Sequence, residues 1–361
     1  MPPVHDRYHR QRLLAGIGDH GQDRLAHSRA LIVGCGALGC ATADLLARAG
    51  VGTLTIVDRD LVETTNLQRQ TLFDESQVGE PKAVAAADRI ARITSTVRTE
   101  PIVADFSPAN AERIALGSDS TTGKRAPDLI LDGTDNFETR FLINDLAVKL
   151  GVPYLYAGAV GTGGMAAAFM PPFGEAGSPC LRCMFDSPPP AGSQPTCDTA
   201  GVLGPVIAIA SGIQSAEALK VLVGAHDRVR RTMLEFDAWG GTIRELDLVG
   251  MRDPNCPCCG ARIFSYLETS EAGPVAVCGR DAVQVSPAGS QPVDLGAITD
   301  RLRAHGAFTV TRFLTRGTLD AERGESDASI ELTIFRDGRA LIGGTTDLAR
   351  ARSIYAKYIG A

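Results

Sequence analysis

Three glycines, two cations and two carboxylates stand out in this chain for what their chemistry and spacing would do together. Gly34, Gly36 and Gly39 follow a short apolar run in a Gly-x-Gly-x-x-Gly pattern, and Asp58 closes a second apolar run about twenty residues later. Glycines so spaced permit a tight turn, close backbone approach to a phosphate, and close packing of the next helix, whose N-terminus attracts anionic oxygen. Asp58 suits the two hydroxyls of a ribose. Taken alone, these residues specify an adenosine-containing ligand and do not separate a dinucleotide from ATP. A sheet that merely needs a tight turn would carry the same glycines.

The next stretches separate the two ligands. Arg69 lies in TTNLQRQ (64–70), Lys82 in GEPK (79–82) and Asp135 in DGTDN (132–136). Arg69 and Lys82 bring two fixed positive charges, as needed to hold a triphosphate and to offset charge moving onto leaving pyrophosphate. Hydride transfer makes no such demand. Asp135 offers the hard oxygen that Mg²⁺ prefers. Each has a plainer reading as well: a surface ion pair for Arg69 or Lys82, and a cap on the helix starting near Asn136 for Asp135. At consecutive strand ends, the three together favour the triphosphate.

Cys180-x-x-Cys183 and Cys256-x-x-Cys259 form two pairs whose four thiolates would satisfy tetrahedral Zn²⁺ in a closed structural site. The gap between the pairs is wider than in compact zinc ribbons, so four buried free thiols remain the alternative. Cys258 competes with Cys259, and spacing favours Cys259. Cys35 and Cys40 flank the glycine loop as small apolar packing residues.

These residues must be positioned by alternating strands and helices. Candidate strands are 29–33, 53–57, 97–104, 128–132 and 153–157, with helices near 37–49, 80–94 and 136–150 between them. The alternation implies right-handed βαβ units and a Rossmann-like, mostly parallel α/β sheet with its chemistry at the carboxyl ends of the strands. A Pro/Gly/Ser stretch at 186–195 reads as an exposed loop, followed by an apolar helix at about 204–224 with Pro205 in its first turn. Strands at 231–237 and 242–248 lead to the second cysteine pair. After a linker near 265–274, the tail reads as strand, helix (294–305), strand, strand with a turn at Asp337-Gly338, and helix (346–359). Two domains are therefore expected, 1–265 and a small α+β domain at 275–361. No internal repeat is visible.

A net charge of −6 over 361 residues argues against nucleic acid as a primary partner. No apolar run reads as long enough to span a membrane. The opening MPPVHDRYHRQ lacks the apolar core of a signal peptide, so a cytoplasmic chain is expected. Nine cysteines in that compartment point to metal or catalysis more than to disulfides.

Nine segments, in order, carry a resemblance: RYHRQ (7–11), GCGALG (34–39), DRD (58–60), TNLQRQ (65–70), GEPK (79–82), GTDN (133–136), PCLRC (179–183), TCDTAGVLGP (196–205) and NCPCCG (255–260). Over about residues 5–260 the chain resembles the molybdopterin-synthase adenylyltransferase and ThiF family, related to ubiquitin-activating enzymes. The resemblance implies use of Mg·ATP to adenylate the C-terminal Gly-Gly carboxylate of a small ubiquitin-like carrier protein. It makes Asp58 the ribose ligand, with Asp60 and Asn136 beside the nucleotide. Thr65, Asn66, Leu67, Gln68 and Arg69, together with Lys82, become triphosphate contacts, and Asp135 the carboxylate that organises Mg²⁺. Arg10 would reach into the neighbouring subunit's site, which implies a homodimer. Ala37 departs from the glycine many relatives have there, and the loop should still accept a nucleotide. The match also strengthens the zinc assignment.

Cys197 matches a position where several relatives carry a cysteine that bonds to the activated carrier, while other members adenylate without one, so both readings stay open. Some relatives end in a rhodanese domain; residues 275–361 do not resemble one, and their single Cys278 reads as structural, so a sulfur donor would be a separate protein. Two other classes compete: an NAD- or FAD-dependent oxidoreductase, which leaves TNLQRQ and GTDN unexplained, and a non-catalytic module holding nucleotide and a ubiquitin-fold partner, which leaves Arg69 and Asp135 unexplained.

Overall fold

Eight strands build the main sheet: β1 (Arg29–Val33), β2 (Thr53–Asp58), β3 (Arg98–Val103), β4 (Leu129–Asp132), β5 (Tyr154–Val160), β6 (Gly163–Phe169), β7 (Thr232–Asp237) and β8 (Thr242–Asp247). They lie in the order β3-β2-β1-β4-β5-β6-β7-β8 in the computed structural model. Structure is described for residues 7–117, 125–173, 178–185, 187–189, 197–269, 275–276, 282–286, 293–324 and 329–360. The chain divides into two units, Met1–Thr269 and Ser270–Ala361.

In the first unit the strands from β3 to β5 are parallel and those from β5 to β8 antiparallel. Ile32 of β1 pairs with Ile56 on one side and Leu131 on the other. Ala30 and Ile32 enter one apolar cluster and Leu31 and Val33 the opposite one. Burial on both faces explains why these strands read as continuous apolar runs. Helices Ala37–Ala49, Lys82–Ile93 and Gly204–Val223 cover the first face, and Ala111–Leu116 and Phe137–Leu150 the second. The order of connection reverses around β1, which opens a crevice outside the carboxyl ends of β1, β2 and β4.

Two features depart from the sequence expectation. Strand β6, GGMAAAF, is built from small residues without the β-branched signature of a strand. It forms because glycine lets the sheet pack closely: a Cβ at Gly164 would stand 2.5 Å from the Phe236 ring. The helix Gly204–Val223 has 20 residues and a mean hydropathy of 1.6, so by length and composition one apolar run is long enough to cross a membrane. Its side chains have other uses. Ser211, Gln214, Ser215 and Glu217 are buried, and the helix lies against β4, β5, β6 and the helix Ala37–Ala49. The Gln214 amide donates to the carbonyls of Asp132 and Leu155, both at 2.9 Å, and its oxygen accepts from the Thr42 hydroxyl.

The second unit is a six-stranded antiparallel sheet of β9 (Val275–Ala276), β10 (Ala282–Val285), β11 (Gly306–Val310), β12 (Leu314–Arg323), β13 (Ser329–Phe335) and β14 (Ala340–Gly343), ordered β11-β12-β13-β14-β10-β9. Helices Leu295–Leu302 and Leu348–Tyr358 pack on its apolar residues, including Val283, Leu332 and Ile342, with Tyr355 of the second helix among the side chains that cover them. The β13–β14 hairpin turns at Gly338, whose φ of +83° suits glycine. The sheet has more strands than the sequence led one to expect, because β12 mixes charged residues into its length. Most of the Pro-rich stretch, the linker after Thr269 and Cys278 lie outside the described residues.

Candidate nucleotide site and cysteine cluster

At the carboxyl end of β1 the three fingerprint glycines are held for different reasons. Gly34 has φ +88°, and a Cβ there would stand 2.6 Å from the Gly133 carbonyl oxygen. A Cβ on Gly39 would stand 1.9 Å from the Gly34 oxygen. At Gly36 the nearest atom is 3.8 Å away, so nothing in the chain itself demands glycine there. Sequence reasoning missed Gly133, whose Cβ would stand 2.3 Å from the Gly34 oxygen; it seals the β1 and β4 corners together. Ala37 opens the following helix half-buried, packed against the apolar cluster that includes Leu38 and Ile207.

At the end of β2, one oxygen of buried Asp58 accepts from the Cys35 amide and the other from the Asp60 amide, both at 2.6 Å. The carboxylate thus braces the glycine loop while retaining lone pairs for a ligand. Burial pushes its pKa up, partly offset by the charge of Lys82. The Lys82 ammonium is buried and lies 3.1 Å from Asp60. Burial opposes its charge, but Asp60 and then Asp58 outweigh that effect and hold the pKa above the ordinary lysine value. GEPK is pinned to this place by backbone pairing, with the Val62 amide donating to Glu80 and the Lys82 amide to Asp60.

The TNLQRQ stretch opens with a 3-10 turn, Thr64–Asn66. Asn66 is buried, its side chain accepting from the Glu63 amide, so it shapes the turn. Arg69 is half-buried and donates to the Thr65 carbonyl at 3.0 Å. Thr65 and Gln68 are exposed and Leu67 packs against the core. Gln70 is buried with a side-chain oxygen that has no partner among the described residues, a feature no spacing rule reveals.

Beyond β4, Asn136 caps the helix Phe137–Leu150 by accepting from the Thr139 amide. That leaves Asp135 exposed at the crevice, with no hydrogen bond or ion pair among the described residues. Below it, Asp132 and Arg140 are buried and 3.4 Å apart. Sequence reasoning passed over both as members of a strand end and a helix.

Arg10 lies exposed in the helix His9–Arg12 and is not brought to its own crevice. The neighbouring Gln11 donates to the carbonyl of Ala49, at the far end of the helix that begins at the glycine loop. Thirteen helical residues set that anchor about 20 Å from the loop.

The sulfurs of Cys180, Cys183, Cys256 and Cys259 all lie within 4.8 Å of one another, with Cys180 to Cys256 at 3.6 Å and Cys183 to Cys259 at 3.4 Å. Sulfurs around tetrahedral zinc stand about 3.8 Å apart, so the donor set fits that ion. Hydrogen bonding among the thiols pushes Cys180 up and Cys183 down to about 7. Cys258 is buried in the same cluster, its sulfur accepting from the Asn144 amide, and it is not one of the four sulfurs that lie together, Cys259 being the one that spacing favoured. The side chain of Cys197, at the start of the short helix Cys197–Ala200, lies outside the described residues.

The model described as ThiF family matches residues 8–258. The chain belongs to the ThiF family. It is similar to the sulfur carrier protein ThiS adenylyltransferase of Bacillus subtilis, 39% identical over 98% of this chain and 99% of the relative. It is 35% identical to the SAMP-activating enzyme E1 of Haloferax volcanii over 71% of this chain and 88% of that one. This ThiF-family chain is accordingly an adenylyltransferase. A crystal structure of E. coli MccB with MccA-N7isoASN shares the fold, with a TM-score of 0.59 at 20% identity over 71% of this chain and 75% of that one.

Proposed function

We propose that the crevice binds Mg·ATP and that the enzyme transfers AMP to the C-terminal Gly-Gly carboxylate of a small ubiquitin-like sulfur carrier, releasing pyrophosphate. The observation that carries this reading is the match to a ThiS adenylyltransferase along nearly the whole chain, second unit included. The attacking carboxylate is already ionised near neutral pH, so the enzyme supplies alignment and charge neutralisation and needs no general base.

Each residue then has a task. Asp58 receives the ribose, and the open space over Gly36 lets the backbone approach phosphate. Thr65, Gln68, Arg69 and Lys82 line the triphosphate, on a turn that Asn66 shapes and Leu67 anchors to the core, with Lys82 held ready by Asp60. Asp135 and the phosphates form the donor set for Mg²⁺, which, when bound, offsets charge on the departing pyrophosphate. Arg10 arrives from the second copy of a homodimer, a reading supported by its anchoring at the far end of its own helix layer. The four-cysteine site holds zinc as a structural tie. Cys197 attacks the acyl adenylate, releasing AMP and leaving the carrier as a thioester; sulfur comes from a separate donor protein in the cytoplasm.

The test is to incubate the enzyme with Mg·ATP and candidate sulfur carriers and to weigh each carrier intact. Addition of AMP to a ThiS-type carrier is the expected outcome, and no mass gain on any carrier overturns the reading. A covalent enzyme–carrier adduct that disappears in Cys197→Ser, while the adenylate still forms, is expected for the transfer step.

A further inference from the structure

Asp132 and Arg140 form an ion pair that none of the steps above uses. Both are buried, and one Asp132 oxygen faces the Arg140 Nε at 3.4 Å while accepting from the Tyr154 hydroxyl at 2.7 Å. The other oxygen accepts from the amide and hydroxyl of Thr134. The guanidinium also donates to the Thr134 carbonyl at 3.0 Å and the Ala157 carbonyl at 3.4 Å, and lies over the rings of Phe137 and Tyr156. From the opposite face of the sheet Gln214 grips the Asp132 carbonyl. The corner between β4 and Asp135 is therefore clamped from both sides.

Replacing a buried ion pair with apolar side chains of like volume is often neutral or stabilising, so stability alone is a weak reason for this one. Its contacts converge on the residue immediately before Asp135. We propose that Arg140, acting through Asp132 and the Thr134 carbonyl, is a positioning residue that fixes the direction in which Asp135 presents its carboxylate to a divalent cation. The inference rests on Asp135 as the Mg²⁺ ligand.

The test is calorimetric titration of the full chain with the non-hydrolysable analogue AMPCPP, with and without Mg²⁺. The readout is the factor by which Mg²⁺ tightens binding. In the parent protein this factor is expected at about tenfold or more, a usual coupling between two ligands. Asp135→Ala should abolish it. Arg140→Lys should lower it about fivefold while leaving Mg²⁺-free affinity within about twofold, and the double variant should match Asp135→Ala alone. A full Mg²⁺ effect in Arg140→Lys, or an equal loss with and without Mg²⁺, overturns the positioning role. A full effect in Asp135→Ala overturns the metal assignment beneath it instead. Should Arg140→Lys fail to fold, Tyr154→Phe removes one donor to Asp132; an unchanged Mg²⁺ effect there also overturns the proposal.

Discussion

One oxygen of Asp60 lies 3.1 Å from the Lys82 ammonium, and its other oxygen lies 3.9 Å from the Arg59 guanidinium. Lys82 is thus charged and aimed before any nucleotide arrives, and phosphate oxygens take over a cation that Asp60 has kept in place. The folded-state pKa lies above the unfolded one, so the contribution to stability is complete below the ordinary value of 10.5 and fades only as pH rises beyond it. Lys82→Met is expected to lose about 1–3 kcal/mol of stability, by analogy with other charged hydrogen bonds, and most nucleotide affinity. Urea unfolding across pH checks this: the loss should stay level from neutral to mildly alkaline pH and shrink only above 10.5, and a loss that already shrinks in the mildly alkaline range refutes it.

Gly36→Ala and Gly39→Ala should fail in opposite ways. At Gly39 the new methyl meets backbone at 1.9 Å, so at least about 3 kcal/mol of stability should go, with thermal unfolding as the measure. At Gly36 it meets nothing closer than 3.8 Å, so the fold should hold to within about 0.5 kcal/mol. Nucleotide affinity should nevertheless drop about tenfold, because backbone approach to phosphate is what the glycine permits. Equal affinity in parent and Gly36→Ala would remove the ligand from that spot.

Metal analysis of the purified protein should find one zinc per chain. Cys259→Ser should lose it and Cys258→Ala should keep it, since Cys258 turns towards Asn144. Zinc bound equally by both variants would dissolve the assigned ligand set.

A mixing experiment tests Arg10. Arg10→Ala and Asp135→Ala dimers should each be nearly inactive, whereas a random mixture should recover about a quarter of parental pyrophosphate exchange. Half of the dimers are then mixed, and each contains one intact site if Arg10 serves its neighbour. No recovery after verified subunit exchange would leave Arg10 without a role in the partner's site.

Much of this was legible in the sequence because parallel strands buried on both faces leave continuous apolar runs, and their ends carry the chemistry. RALIV and LILD announced β1 and β4, and with them the places of Gly34 and Asp135. What stayed hidden depended on atoms brought together across the sheet. Gly133 matters only because Gly34 is opposite it, and Arg140 only because Asp132 and Thr134 lie beneath the corner. Strand β6 was invisible because alanine and glycine have no strong strand preference. Cys258 and Cys259 differ by one position; spacing favoured Cys259, and it is the Cys259 sulfur that lies with the other three.

The helix Gly204–Val223 has a consequence for how the chain is made. Nearly every surface that covers it, the helices Gly18–His27 and Ala37–Ala49 and strands β4, β5 and β6, is encoded upstream of it. A ribosome therefore completes the receptor before the greasiest segment of the protein emerges, and the segment has somewhere to go. Moving it to the front by circular permutation would reverse that sequence of events and expose the nascent chain to aggregation.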